Sequence, residues 1–168
     1  MKIACISLGC PKNQVDLDGM VHILLSAGHE TVAELGEADV ILVNTCGFIE
    51  SAKTEAIDNI LAMAQLKAEG RIQKILVTGC LAQTDPHQIA NIAGVDFICG
   101  NTDKQAVVDA AKRLIAQGHK NPVAELLHRP LEGSAFEEMT ITHFDRTRAY
   151  IKIEDGCENR CTYCAIPS

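Results

Sequence analysis

From Lys2 to about Gly118 the chain alternates short runs of aliphatic and β-branched residues with longer stretches in which apolar side chains return every three or four positions. The short runs are Lys2–Ser7 (KIACIS), Val40–Asn44 (VILVN), Lys74–Thr78 (KILVT) and Val95–Ile98 (VDFI), with a weaker one around Glu30–Ala33. Continuous apolar runs of this kind suit parallel strands, which are covered on both faces. The longer stretches predict helices near Gln14–Ala27, Ile49–Ala68, Pro86–Ile92 and Lys104–Gln117, with Gly28 and Gly118 placed as helix ends. Strand and helix in repeated alternation imply an α/β fold, a doubly wound, mostly parallel five-stranded sheet with right-handed crossovers.

The pattern loosens after Gly118. Residues 119–148 carry Pro122, Pro130, Gly133 and the acidic pair Glu137 and Glu138, and read as a linker with room for a short hairpin. Alternation resumes at Ala149–Glu154 (AYIKIE), a strand that runs directly into Gly156 and Cys157. A lone strand cannot bury its face, so residues 149–168 read as the truncated start of a second domain, and residues 1–118 as the first. A chain of 168 residues, 47% hydrophobic, is consistent with one good core and a fragment of another.

Charge narrows the class. Twenty-two acidic residues against 15 basic ones give a net charge of −7, spread along the chain, with no Lys/Arg cluster of the kind that grips nucleic acid. Neither a basic leader nor an apolar stretch long enough to span a membrane is present, which points to the cytoplasm. Eight cysteines in that setting are expected to bind metal or do chemistry rather than pair as disulfides.

Cys10, Cys46 and Cys80 each stand just past a predicted strand, flanked by Gly9 and Pro11, by Gly47, and by Gly79. Carboxyl ends of parallel strands share one edge, where ligands bind. In the strand order 2-1-3-4-5 the three strands concerned are neighbours, roughly 5 Å apart, so their loops can bring three thiolates around one small metal cluster. Cys5 lies inside the first strand and belongs to the core; Cys99 ends the fifth on the same edge and is open to either role. Cys157, Cys161 and Cys164 share one loop in Cys-x-x-x-Cys-x-x-Cys spacing. Three ligands are too few for a closed structural zinc site, whereas an iron–sulfur cluster held by three cysteines keeps one iron open. The amino and carboxylate groups of S-adenosylmethionine can chelate that iron, and reductive cleavage of the sulfonium then yields a 5′-deoxyadenosyl radical.

The motifs Leu8-Gly9-Cys10-Pro11-Lys12-Asn13, Asn44-Thr45-Cys46-Gly47-Phe48-Ile49 and Thr78-Gly79-Cys80-Leu81 resemble those of the radical-SAM methylthiotransferase family. So does the segment from Asp155-Gly156-Cys157 through Cys161-Thr162-Tyr163-Cys164-Ala165-Ile166-Pro167. Pro11-Lys12 makes the first motif similar to the RimO type, which modifies an aspartate of a small-subunit ribosomal protein, rather than the MiaB type, which modifies a tRNA adenosine. Asp18-Gly19 departs from the Ser-Glu common at that place.

The resemblance implies two 4Fe–4S clusters, one on Cys10, Cys46 and Cys80 carrying the sulfur to be transferred, the other on Cys157, Cys161 and Cys164 binding S-adenosylmethionine. It also implies a methylthio group added to an unactivated carbon, the β carbon of an aspartate, and an electron donor such as flavodoxin or ferredoxin. Tyr163 would contact the adenine or cover the cluster. Asn13, Asn44 and Thr45 would hydrogen-bond cluster sulfur or a sulfur ligand, or cap turns, with capping favoured for Asn13, which sits where a helix N-cap belongs. Residues 1–168 alone are expected to be inactive, lacking the barrel. Two readings of other classes compete. Electron transfer expects fully ligated clusters, which three plus three cysteines do not supply, and a zinc-stabilised binding module expects zinc.

Overall fold

The computed structural model describes residues 1–101, 104–117 and 125–127, together with Tyr150, Ile153, Cys157, Asn159 and 161–164. The strand expected at 149–154 and the domain boundaries drawn at 118 and 148 lie largely outside these residues.

Among the described residues six strands form one parallel sheet: β1 (Lys2–Ser7), β2 (Glu30–Thr31), β3 (Val40–Thr45), β4 (Lys74–Gly79), β5 (Phe97–Cys99) and β6 (Glu125–Leu127). Their order across the sheet is β2-β1-β3-β4-β5-β6, every pair parallel. The five expected strands are present in the expected order. The sixth is an addition: it arises within the segment read as linker and pairs Phe97 with Glu125 and Cys99 with Leu127. Three residues, Glu-Leu-Leu, carry too little pattern to announce an edge strand on their own.

The helices are α1 (Pro11–Ser26), α2 (Glu50–Ala68), α3 (Cys80–Thr84), α4 (Pro86–Ala90) and α5 (Lys104–Gln117). They divide between the two faces, as the alternation implies. Leu17, Met20 and Leu24 of α1, with Val107, Val108 and Ala111 of α5, pack on Ile3, Val40, Leu42, Leu76 and Phe97. On the opposite face Ala56, Ile60 and Met63 of α2, with Leu81, Ala82 and Ile89 of α3 and α4, pack on Ala4, Ile41, Val43, Ile75 and Val77. β1, β3, β4 and β5 thus send alternate side chains to each core, as pleating requires.

Two helix starts differ from the sequence reading in ways that matter for the site. α1 begins at Pro11, not Gln14, because proline's fixed φ and missing N–H suit the first helical position. Its N-cap is therefore Cys10, not Asn13, and no side chain caps it. The single helix expected at Pro86–Ile92 is joined by a separate five-residue helix starting at Cys80. Asp85 divides the two, its carboxylate accepting a 3.2 Å bond from the Gln88 N–H.

Away from that edge, at the amino ends of the strands, Asp96 is buried between two lysines. Its carboxylate takes Lys67 and, at 3.0 Å, Lys74, and also accepts the Ile75 N–H at 2.8 Å. This cluster pins the start of β4 to the approach to β5.

Candidate functional site

β1, β3 and β4 are consecutive in the sheet, so the chain leaves all three at one edge. Cys10 follows β1 and caps α1, Cys46 follows β3 directly, and Cys80 follows β4 and opens α3. Cys10 is exposed, Cys46 buried and Cys80 half-buried.

Glycine makes the loops close. Gly9 has φ +99°, and a Cβ there would lie 2.5 Å from the Cβ of Cys46 and 2.9 Å from its Sγ. Gly79 has φ +101°, and a Cβ there would enter the Thr45 carbonyl and the Asn44 amide. Any other residue would be both strained and obstructed at these two positions. The Cys10 loop therefore touches the Cys46 loop, and the Cys80 loop touches it from the other side.

Asn13, only 1% exposed, ties the three together. Its Nδ2 donates to the Leu8 carbonyl at 2.9 Å and to the Thr45 carbonyl at 2.8 Å, while its Oδ1 lies 3.7 Å from the Cys80 Sγ, within reach of the thiol. One amide thus contacts the segments carrying Cys10, Cys46 and Cys80. Asn44 holds it in place by donating to the Asn13 carbonyl at 2.7 Å. Thr45 is turned elsewhere, its hydroxyl donating to the Thr78 carbonyl at 2.7 Å. Asn13 and Thr45 therefore act as braces between loops and strands rather than as caps.

Burial pushes the Cys80 thiol up, and the nearby Cys46 and Cys10 add to the rise; the Asn101 amide and the Lys12 ammonium pull the other way. These influences place all three cysteines and Lys12 within one electrostatic neighbourhood. Lys12 is paired with Asp16 at 3.0 Å, and Asp16 also meets Lys104 of α5 at 3.7 Å. Among the described residues no group of three or more His, Cys, Asp or Glu side chains is arranged to hold a single metal ion.

Of the two remaining cysteines in this domain, Cys5 packs against the α1/α5 core, and burial pushes its thiol up to about 12. Cys99 is 1% exposed within the same core. The end of β5 instead brings Asn101 to the site, where its Nδ2 lies 3.6 Å from the Cys80 Sγ. Sequence reasoning missed Asn101 because no cysteine marks it; its position two residues past a strand on the shared edge is the one available signal.

In the second trio, Cys157 and Cys161 are exposed and Cys164 is half-buried. The Cys164 N–H donates to the Cys161 carbonyl at 3.1 Å, closing a turn on which Tyr163 is 91% exposed. Among the described residues, no helix is long and apolar enough to cross a membrane.

Three curated relatives bear the name ribosomal protein uS12 methylthiotransferase RimO. That of Desulforudis audaxviator is 41% identical over 174 residues, covering 99% of this chain and 36% of the relative. That of Chloroflexus aurantiacus is 40% identical over 179 residues, covering 100% and 39%. That of Clostridioides difficile is 40% identical over 170 residues, covering 99% and 37%. The chain thus spans a little over a third of the length of these relatives and resembles them over 99–100% of its own length. Residues 2–100, which hold β1 through β5 and all three cysteines of the sheet edge, match the family described as Uncharacterized protein family UPF0004, and the chain belongs to that family.

Proposed function

We propose that the protein carrying this chain is a radical-SAM methylthiotransferase that adds a methylthio group to the β carbon of an aspartate in ribosomal protein uS12. The observation that carries the reading is the convergence of Cys10, Cys46 and Cys80 at the ends of three adjacent strands, with Gly9 and Gly79 at the points of contact. The names of the relatives support the substrate.

The donor set fits an iron–sulfur cluster. It consists of thiols alone, drawn from separate loops. Because a cluster binds each thiolate on a different iron, its ligands stand further apart than those of a single ion. Cys10, Cys46 and Cys80 would hold one 4Fe–4S cluster, and Cys157, Cys161 and Cys164 a second, to which S-adenosylmethionine binds. When bound, these groups supply the radical and the sulfur for the reaction.

The chain's own residues set the conditions. Asn13 and Asn44 tie the loops that carry the thiols to one another. Cys46, buried at 8% exposure, shields the inner side of the site, while exposed Cys10 leaves the outer side accessible to what is transferred. Lys12, anchored on Asp16, adds positive charge that favours deprotonated sulfur. Tyr163 is the residue proposed to contact the adenine. An electron donor of the flavodoxin or ferredoxin kind and a cytoplasmic setting complete the reading.

The test is mass spectrometry of uS12 and of tRNA from cells with and without the full-length protein. A methylthio group on the uS12 aspartate that vanishes with the gene is the expected result. Loss of methylthioadenosine from tRNA, with uS12 unmodified, would assign the chain to the MiaB type instead.

A further inference from the structure

We infer that Asn101 tunes the reduction potential of the cluster on Cys10, Cys46 and Cys80 through its hydrogen bond to the Cys80 sulfur, an inference that rests on the cluster reading above. The bond belongs to a closed ring of contacts. α3 begins at Cys80 and carries Gln83 one turn later, whose Oε1 accepts the Asn101 backbone N–H at 3.1 Å. From there the Asn101 side chain returns to Cys80, its Nδ2 3.6 Å from Sγ. Gly100 lets the ring close, since a Cβ there would collide with the Gln83 amide. The Thr78 hydroxyl, donating to the Gly100 carbonyl at 3.4 Å, ties the same loop to β4.

The two asparagines beside Cys80 differ in kind. Asn13 spends its N–H groups on the Leu8 and Thr45 carbonyls and turns its oxygen toward the sulfur. An oxygen acceptor gives nothing to a thiolate. Asn101 presents N–H, which draws negative charge from a ligating sulfur and favours the reduced, more negative cluster. Asn101 is thus a positioning residue whose effect reaches the iron through Cys80.

The test uses the full-length protein, loaded anaerobically, in a Cys157→Ala, Cys161→Ala, Cys164→Ala background, so that only the first cluster gives a paramagnetic signal on reduction. Redox titration with dithionite compares the parent with Asn101→Leu, Asn101→Asp and Asn101→Gln. The leucine and aspartate variants should keep the parent's iron content and show a more negative midpoint, and glutamine should recover part of the shift. An unchanged midpoint at full iron overturns the inference. So does loss of iron from both the leucine and aspartate variants, which would make Asn101 an assembly residue. If the parent itself binds no iron, or if Cys10→Ala, Cys46→Ala, Cys80→Ala substitution leaves its iron untouched, the site assignment fails, and the inference with it.

Discussion

Amide groups shape the cysteine edge as much as thiols do. Asn13 is the clearest case, buried in the first turn of α1 with its two N–H groups on carbonyls from two different loops. Asn13→Ala would leave buried acceptors without donors, and the expected loss is about 2 to 3 kcal/mol of stability in urea denaturation. A loss below about 0.5 kcal/mol, the range of ordinary surface changes, would show that the bonds do not hold the loops. Thiol reactivity gives a second residue-level prediction. Burial pushes the Cys5 thiol up to about 12, which disfavours its reactive thiolate, and Cys99 is sealed in the core. Alkylation of the metal-free protein should mark Cys10, Cys157 and Cys161 first, half-buried Cys5 more slowly, and Cys99 only on unfolding. Early labelling of Cys5 would contradict its place in the core.

At the scale of elements, the sheet was readable because parallel strands buried on both faces are continuous apolar runs, and Ile41, Val43, Ile75 and Val77 leave no polar alternative. The runs did not by themselves give the strand order; 2-1-3-4-5 was one order open to a doubly wound sheet, and the sheet has it, with β6 added at the edge. Nor could they give the features set by tertiary contact. α3 follows β4 without any loop, so no turn signal separates Gly79 from Cys80. β6 is formed by pairing with β5 rather than by its own pattern. Asn13 looks like a cap in sequence, and only the position of Pro11 moves it inside the helix. The buried charge of Asp96 was likewise silent, since the residue fell inside the expected strand Val95–Ile98 and nothing in that run announces the two lysines that meet it. Its removal is informative: Asp96→Ala would strand the ammonium of Lys74, itself 3% exposed, at a cost of about 3 to 5 kcal/mol. Because this cluster lies at the far end of β4 from Cys80, Asp96→Asn in the loaded protein should lower stability and leave the iron content unchanged.

At the scale of the whole molecule, the chain joins two cysteine trios of different construction. The first is assembled from three strand ends and exists only because the sheet brings them together. The second falls within eight residues of sequence, Cys157 to Cys164, where the Cys164 N–H meets the Cys161 carbonyl. The difference predicts separable behaviour: mild destabilisation of the sheet should release metal from the first trio before the second. The central claim, that Cys10, Cys46 and Cys80 form one metal-binding unit distinct from Cys157, Cys161 and Cys164, is tested most directly by counting iron and sulfide after anaerobic reconstitution. The count is made on the full-length protein and on the variant with Cys10→Ala, Cys46→Ala and Cys80→Ala. The account predicts that the triple variant loses half of the iron and half of the sulfide, without taking up zinc. Full retention of both by that variant would contradict it.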